Sequence, residues 1–396
     1  MFTYMYTADG YMISLLFATL AVYFSVKKEG FRGIVFGGLC LFVSLGFYQA
    51  FITTTILLMV LWLLLLLLNP GEKMKSVWKT MGRFLTTGIF GLVLYGIILK
   101  IVWSAYGFGT TEYMGMNGQS TGIVKHMLEA TVDCYIDFAR YFIVRFQFNC
   151  YNIMNVMLFL FMAVIVFVLL AKKKLWKQPV RWICIVLLFL MLPLLGFAFE
   201  FASEEVAYTS TSMEYGIVVI YLYPLIMMEN LDCGSGRFGE WLDKNYRRRH
   251  PLWILLCILL LCISFHFSVI AHQAYRSVDN ANTKIEFLLN RLQARMEIQE
   301  GYHNDMEVAI IGSTFEKPEY VYAAPMMSGV VSNLFLSVPR EYILLLNWYT
   351  STHYTESSEA RIAELMETEE FGEMEVWPSE HAVKIIDGTM VLYLSE

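Results

Sequence analysis

Charged residues are scarce in this chain of 396 residues. Only 16% of its side chains are Asp, Glu, Lys or Arg, whereas 57% are hydrophobic. A soluble globular domain is nearer one quarter charged. Several apolar runs approach 20 residues, the length that a helix needs to cross a bilayer. The composition therefore excludes an ordinary soluble protein. It predicts a mainly α, polytopic helical membrane protein with about eight spans.

The motifs of soluble enzymes are also missing. The chain has no phosphate-binding loop, no dinucleotide-binding glycine pattern, no zinc-protease histidine pair and no nucleophile elbow. Its seven cysteines show no metal-ligand spacing, and its histidines are scattered. We therefore expect no metal site formed by these residues. The distribution of charge gives no sign of nucleic acid as a partner.

The longest apolar stretch, residues 31–68, organises the chain. As one helix it would be about 57 Å long, nearly twice the roughly 30 Å of a bilayer core. Its one large polar interruption near the middle is Tyr48-Gln49. The stretch therefore predicts a helical hairpin in which 31–47 crosses, Tyr48-Gln49 lies at the turn and 50–68 returns.

Positive charge alternates between the connections that link the apolar runs. The runs lie at 11–26, 31–47, 50–68, 84–103, 148–170, 182–199, 214–228 and 252–271. Lysine and arginine concentrate in every second connection, at 27–32, 73–83, 172–181 and 237–249. The positive-inside rule places these four connections in the cytoplasm. The Tyr48-Gln49 turn, the loop 104–147 and the C-terminal region are then expected outside.

The same topology places Met1 outside. The first ten residues contain no lysine or arginine, whereas a secretory signal peptide begins with positive charge. The simplest explanation is that the chain lacks an upstream portion with an odd number of spans.

The region from Arg276 onward differs from the rest, because it holds 20 acidic and 8 basic residues. Residues 275–299 have helical spacing, 307–311 and 320–322 resemble strands, and Asp387-Gly388 between apolar runs is a hairpin signal. A helix is expected over 357–370, capped by Ser357 or Ser358.

These patterns predict two domains. Residues 1–274 form a multi-span transmembrane domain, and residues 275–396 form a small extracytoplasmic α/β domain.

Polar residues on the expected outer side are the candidates for function. Acidic residues follow the sixth apolar run at Glu200, Glu204, Glu205 and Glu214. From the whole outer side we select Asp9, Tyr48, Gln49, Arg140, Arg145 and Glu205.

Each candidate also has a structural explanation. Asp9 is equally suited to start the first helix, and Gln49 to satisfy backbone groups where the hairpin breaks. Arg140 and Arg145 are equally suited to contact lipid headgroups, and Glu205 to lie on a solvated loop.

The turn Phe47-Tyr48-Gln49-Ala50 resembles that of the Gtr type II glucosyltransferases, membrane proteins that modify surface polysaccharides. Three further segments are similar to this family, and together they cover most of the chain. The first is Tyr4-Met5-Tyr6-Thr7-Ala8-Asp9, ahead of the first span. The second comprises Arg295-Met296-Glu297, Gly301-Tyr302 and Ile310-Ile311-Gly312. The third comprises Phe371, Met374, Trp377-Pro378 and Ile385-Ile386-Asp387-Gly388.

The resemblance implies a GT-C type architecture in the cell membrane. It implies a polyprenyl-phosphate sugar, with glucose the expected sugar, as donor and a growing surface glycan as acceptor. It also implies N-terminal spans and a first large outer loop that this sequence is expected to lack. It leaves open whether a divalent cation is needed.

Such a reaction requires cations beside the donor phosphate and a carboxylate as general base for an acceptor hydroxyl. Asp9 and Glu205 are the expected catalytic carboxylates. Tyr48, Gln49, Arg140 and Arg145 are the expected substrate contacts, with one of the two arginines at the phosphate.

Two other functions stay open. A transporter or flippase of lipid-linked sugars would need ionisable residues deep in several spans and inverted repeats. The sequence shows few of the former and none of the latter. The other is a truncated, non-catalytic remnant whose outer domain binds a glycan or a partner protein.

Overall fold

The computed structural model describes residues 8–107, 123–144, 149–198, 201, 213–232, 246–314 and 339–395. The chain divides into two compact units, Met1–Ser268 and Val269–Glu396.

The first unit is helical. Its helices are α1 (Ala8–Lys27), α2 (Gly30–Phe47), α3 (Ile52–Leu68), α4 (Met74–Tyr106), α5 (Ile123–Ala139), α6 (Asn149–Lys172), α7 (Pro179–Gly196) and α8 (Leu222–Asp232). The next helix, α9 (Tyr246–Glu297), begins in the first unit and continues into the second.

Within the described residues, seven helical stretches are long and apolar enough to cross a membrane. They lie in α1, α2, α3, α4, α6, α7 and the first half of α9. This confirms the prediction of a mainly α, polytopic membrane protein.

The remaining expected run, at 214–228, takes a different form. It consists of a 3-10 helix, Met213–Tyr221, followed by α8. Gly216 and Pro224 are both poor formers of α-helix interiors, which accounts for the change. At about 2.0 Å per 3-10 residue and about 1.5 Å per α residue, the segment supplies about 34 Å of helix. It is therefore long enough for the eighth crossing, which stays a prediction.

The turn of the predicted hairpin lies where the sequence placed it. Helix α2 ends at Phe47, Tyr48 is extended (φ −158°, ψ 111°), and Gln49–Phe51 form one 3-10 turn before α3. The two arms share α1 but otherwise pack against different partners. Helix α2 packs mainly on α1 and α4, whereas α3 packs on α7, the 3-10 helix and α1.

Close packing holds α1, α2 and α4 together. A Cβ added to Gly37 would lie 2.3 Å from Ser25 Oγ, so α1 and α2 approach each other too closely for a larger side chain. Ser14 Oγ donates to Ser44 O (2.8 Å), and Ser44 Oγ donates to Ser14 O (2.9 Å). This reciprocal pair fixes the register of α1 against α2.

Helix α3 lies at the centre of the first unit. In its apolar stretch 67% of the residues are buried, against 39% or fewer in each of the other six candidate spans. Hydrogen bonds join it to three other segments. Tyr223 OH donates to Leu57 O and Arg181 donates to its last carbonyls, while its own Thr55 Oγ1 donates to Ala18 O of α1. The unit is therefore assembled around α3.

The last carbonyls of α3 are satisfied by cations of the connection between α6 and α7. The final carbonyl groups of a helix have no partner within the helix. Arg181, which is 2% exposed, donates from Nη1 to Leu67 O (3.0 Å) and Asn69 O (2.6 Å). Lys173 Nζ donates to Leu68 O (2.9 Å). These bonds join α3 to α6 and α7 at this end.

The described residues of the second unit contain a four-stranded sheet. Its strands are β1 (Glu307–Ile311), β2 (Thr355–Glu356), β3 (Val383–Ile386) and β4 (Thr389–Tyr393), in the order β2-β1-β4-β3. Strand β1 is parallel to β2 and β4, and β3 is antiparallel to β4. Its other helices are α10 (Pro339–Thr350), α11 (Glu359–Met366) and α12 (Glu369–Gly372).

Several local predictions hold in this unit. Asp387 (φ 47°) and Gly388 (φ 78°) form the two-residue turn between β3 and β4. Ser358 caps α11 by accepting a hydrogen bond from Arg361 N. The helix expected over 275–299 is the second part of α9, and the strand expected at 320–322 lies outside the described residues.

A polar network lies against the core of this unit. Gln293 Nε2 donates to Tyr302 OH (2.9 Å), and Tyr354 OH donates to Gln293 Oε1 (2.9 Å). Burial, together with the hydrogen bond from Tyr302, raises the pKa of Tyr354 above its usual value. The network joins the second part of α9 to the residue that precedes β2.

We expect Arg181→Met to destabilise the first unit. The change leaves carbonyl groups of α3 unsatisfied in apolar surroundings, which should lower the free energy of unfolding by about 3 kcal/mol. Denaturant titration in detergent micelles measures this loss. Lys177→Met, at an exposed cation of the same connection, is the matched control. Equal stabilities of the two variants would contradict the assignment.

Candidate functional site

Four aromatic side chains contact one another at the connection between α2 and α3. Tyr48 lies 4.5 Å from Tyr11 and 5.3 Å from Phe51, measured between ring centroids. Phe51 lies 5.8 Å from Tyr215. We call these residues the aromatic cluster, and the end of the first unit that carries them the turn end. The cluster joins α1, the turn and the 3-10 helix.

The rings of the cluster differ in exposure. Phe51 is 1% exposed and forms the floor, whereas Tyr215 is 39% exposed. Tyr11 and Tyr48 are partly buried. An apolar floor with partly exposed tyrosines resembles the walls of small-molecule sites, in which aromatic rings give contact area and a few polar groups give orientation.

Hydrogen bonds fix the backbone of Tyr48, whose extended conformation separates α2 from α3. Its N–H donates to Ser44 O (2.9 Å), the last turn of α2. Its carbonyl accepts from Ser14 Oγ (3.1 Å) of α1. The ring is thus directed by main-chain contacts on both sides of the break.

Gln49 is exposed and makes a contact with another helix. Its Nε2 donates to the hydroxyl of Tyr95, in α4. The side chain therefore links the turn to α4, rather than satisfying the backbone at the break.

Asp9 is exposed in the first turn of α1, two residues before Tyr11. A carboxylate at this position is stabilised by the N-terminal end of the helix dipole. The position fits the structural explanation, and it also places the carboxylate near the aromatic cluster in the chain.

Of the candidate arginines and Glu205, the structure describes Arg140 alone. Arg140 begins a π-helical turn, Arg140–Val144, and pairs with Asp137 at 3.1 Å. Its side chain is 67% exposed, so the pair is a surface ion pair of small energy. Arg145 and Glu205 lie outside the described residues.

Glu214 is the functional candidate that the sequence reasoning did not select. It is 3% exposed, at the start of the 3-10 helix. Asp9, Glu29, Glu129, Asp133 and Glu229 are all exposed. Among the described acidic side chains of the first unit, Glu214 alone is buried.

Gly216 explains how Glu214 reaches this position. A Cβ at Gly216 would lie 2.1 Å from Thr53 Oγ1 and 2.9 Å from Thr54 N. The glycine therefore allows the 3-10 helix to lie directly against the start of α3. A carboxylate at the first residue of an apolar run, two residues before a glycine, is the signal that would have singled out Glu214.

The arrangement combines aromatic contact area with one shielded carboxylate. Aromatic faces and a few polar groups suit a sugar-sized ligand, and a carboxylate is a suitable proton acceptor for a hydroxyl. In the described parts of the chain, no group of three or more His, Cys, Asp or Glu side chains is placed to hold a metal ion.

Comparison with known proteins gives a family match. A family model described as Glucosyl transferase GtrII matches residues 1–221. No curated protein and no solved structure matches the chain. The matched residues include the whole aromatic cluster and Glu214.

We expect Gly216→Val to separate the 3-10 helix from α3, because the new methyl groups would overlap Thr53. Overpacking of this kind costs about 1–3 kcal/mol. The measurement is the midpoint of thermal unfolding in detergent, compared with Gly46→Val. Gly46 lies in α2 with no atom within 4 Å of an added Cβ. A midpoint no lower than that of Gly46→Val would show that the close contact is absent.

Proposed function

The chain belongs to the GtrII glucosyl transferase family, and we propose that it moves glucose from a polyprenyl-phosphate donor to a surface glycan outside the cytoplasmic membrane. The observation that carries this proposal is the aromatic cluster. Its rings come from three segments at one end of a membrane bundle, within the residues that match the family.

The position of the cluster suits a donor that is anchored in lipid. The helices beside it carry exposed apolar side chains, among them Leu92 and Val93 of α4. A polyprenyl chain would lie among such side chains, and its sugar phosphate would reach the turn end from the side. No soluble carrier is then needed.

Three cation-rich connections support an outer position for the turn end. Arg83 Nη1 lies 3.5 Å from Lys28 O, which brings the start of α4 to the connection between α1 and α2. Arg181 brings the connection between α6 and α7 to the last residues of α3. These connections lie at the end opposite Tyr48, and the positive-inside rule assigns such an end to the cytoplasm.

The candidate residues take distinct roles in this proposal. Tyr48 and Gln49 contact the sugar, and Arg140 or Arg145 contacts the donor phosphate. Asp9, exposed near the cluster, suits an acceptor hydroxyl, and Glu205 remains a proposed catalytic carboxylate. A divalent cation remains an open requirement.

A flippase is less well supported. It would need ionisable side chains within the bundle. Among the described side chains of the first unit, Arg181 and Glu214 alone are both charged and buried, and each lies at the start of its helical segment.

The second unit is proposed to lie outside the membrane, since α9 follows the fourth cation-rich connection. We expect alkaline phosphatase fused after Glu396 to be active, because this enzyme folds only outside the cytoplasm. A fusion at Glu72, between α3 and α4, is the matched control and should be inactive. Fluorescence from a green fluorescent protein fused after Glu396, with an inactive phosphatase fusion there, would contradict this orientation.

Glucose transfer measured in membrane vesicles tests the proposed function and the proposed site together. We expect wild type to move label from radiolabelled polyprenyl-phosphate glucose to surface polysaccharide extracted from the native cells. Tyr48→Ala, Gln49→Ala and Asp9→Asn should each lower the rate about tenfold, the effect of losing about 1.4 kcal/mol.

Tyr23→Ala, an exposed tyrosine near the other end of α1, is the control and should match wild type. Absence of transfer by wild type would contradict the function. Wild-type rates in all three site variants would contradict the site alone.

A further inference from the structure

We propose that Tyr95 of α4 positions the amide of Gln49 and thereby fixes the hydrogen bond that recognises one hydroxyl of the donor sugar. The inference rests on the proposed function, in which Gln49 contacts the sugar. Tyr95 is a positioning residue, because it acts through Gln49. The proposal adds α4 to a site that is otherwise formed by α1, the turn and the 3-10 helix.

The contact between the two side chains is the first reason. Gln49 Nε2 donates to the hydroxyl of Tyr95. Gln49 is exposed and directly follows Tyr48 of the aromatic cluster, whereas Tyr95 is partly buried. The exposed amide therefore lies next to the cluster in the chain and is held by a neighbouring helix at the same time.

The packing of α4 against α2 is the second reason, because it fixes the position of Tyr95. A Cβ added to Gly91 would lie 2.9 Å from Leu41 Cδ2, so the two helices approach each other closely at this level. Residues four apart share one face of a helix, which places Tyr95 one turn further along the face that meets α2. Its ring accordingly packs against a buried group of side chains, Ala21, Cys40, Leu41 and Leu45.

The chemistry of the amide is the third reason. A glutamine side chain that moves freely loses rotamer entropy when it binds a ligand, and this loss weakens binding. A glutamine amide offers two N–H donors and one carbonyl oxygen. With one N–H directed to Tyr95, the carbonyl oxygen and the second N–H of Gln49 have defined directions before the sugar arrives. A sugar hydroxyl both donates and accepts hydrogen bonds, so it suits this pair of groups.

A purely structural role is the alternative that must be separated. The hydroxyl of Tyr95 would then only join α4 to the turn, and its loss would affect transfer equally with every donor sugar. Tyr95→Phe distinguishes the two roles, because it keeps the packed ring and removes the hydroxyl alone.

Steady-state transfer by the full chain in proteoliposomes tests the positioning role, with polyprenyl-phosphate glucose as donor and the extracted polysaccharide as acceptor. We expect Tyr95→Phe to lower kcat/KM about threefold to tenfold, the effect of losing one hydrogen bond between neutral groups. In the Gln49→Ala background the same change should have no further effect, because the amide that Tyr95 positions is gone. Tyr23→Phe, at an exposed ring of α1, is the control and should match wild type.

Donors that lack one hydroxyl provide a readout that a structural role would not change. The panel consists of polyprenyl-phosphate glucose in its 2-deoxy, 3-deoxy, 4-deoxy and 6-deoxy forms. A site built to hydrogen-bond a hydroxyl rejects the analogue without it, so wild type should use at least one of these donors about tenfold more slowly. For that donor the penalty should fall to about threefold or less in both Tyr95→Phe and Gln49→Ala.

Several results would overturn the positioning role. A loss from Tyr95→Phe that is as large in the Gln49→Ala background as in wild type would do so, and so would an unchanged penalty for every deoxy donor. A Tyr95→Phe chain without a thermal unfolding transition in detergent would show that the hydroxyl serves the fold instead. Absence of transfer by wild type would reject the proposed function, whereas an active wild type with an equally active Tyr95→Phe rejects the positioning role alone.

Discussion

The polar backbone groups at the two ends of α3 need hydrogen-bond partners inside an apolar bundle. The contacts made at these two ends organise the first unit. Polar backbone groups without partners are costly in lipid. At one end the guanidinium of Arg181 and the ammonium of Lys173 donate hydrogen bonds to the last carbonyls of α3 and its C-cap. These bonds join α6 and α7 to α3. At the other end the 3-10 turn Gln49–Phe51 leads into α3, and Gly216 brings a second segment against its first residues. The most buried helix of the unit is thus fixed at both ends.

The break that starts α3 also brings the aromatic cluster, the candidate site, together. Tyr48 follows the last residue of α2, and hydrogen bonds with Ser14 and Ser44 hold its backbone where its ring lies 4.5 Å from that of Tyr11. The 3-10 helix then adds Tyr215 and the buried Glu214. The proposed binding surface therefore follows from one local change of backbone direction. In the proposed reaction this places the sugar of a lipid-anchored donor at the level where the spans end.

The sequence predicted the parts of this fold that depend on local chemistry. Length and one polar interruption located the Tyr48-Gln49 turn, and Asp387-Gly388 located the tight turn of the second unit because both residues tolerate positive φ. The burial of Arg181 and Glu214 could not be predicted in the same way. In the sequence, Arg181 is one of several cations in a connection between apolar runs. Glu214 is a single charge at the edge of an apolar run. Arg181 contacts the end of α3, and Gly216 of the segment that carries Glu214 lies against the start of α3; both contacts span more than 100 residues of the chain, which no local pattern contains.

The central proposal is that the aromatic cluster contacts the sugar of the donor. The most direct test is photocrosslinking of the full chain in proteoliposomes with polyprenyl-phosphate glucose that carries a diazirine on the sugar, followed by peptide mass spectrometry. We expect labelled residues within 44–55 and 213–221, with labelling suppressed by unmodified donor. Suppressible labelling confined to the cation-rich end, such as residues 70–83, or to the second unit would contradict the claim.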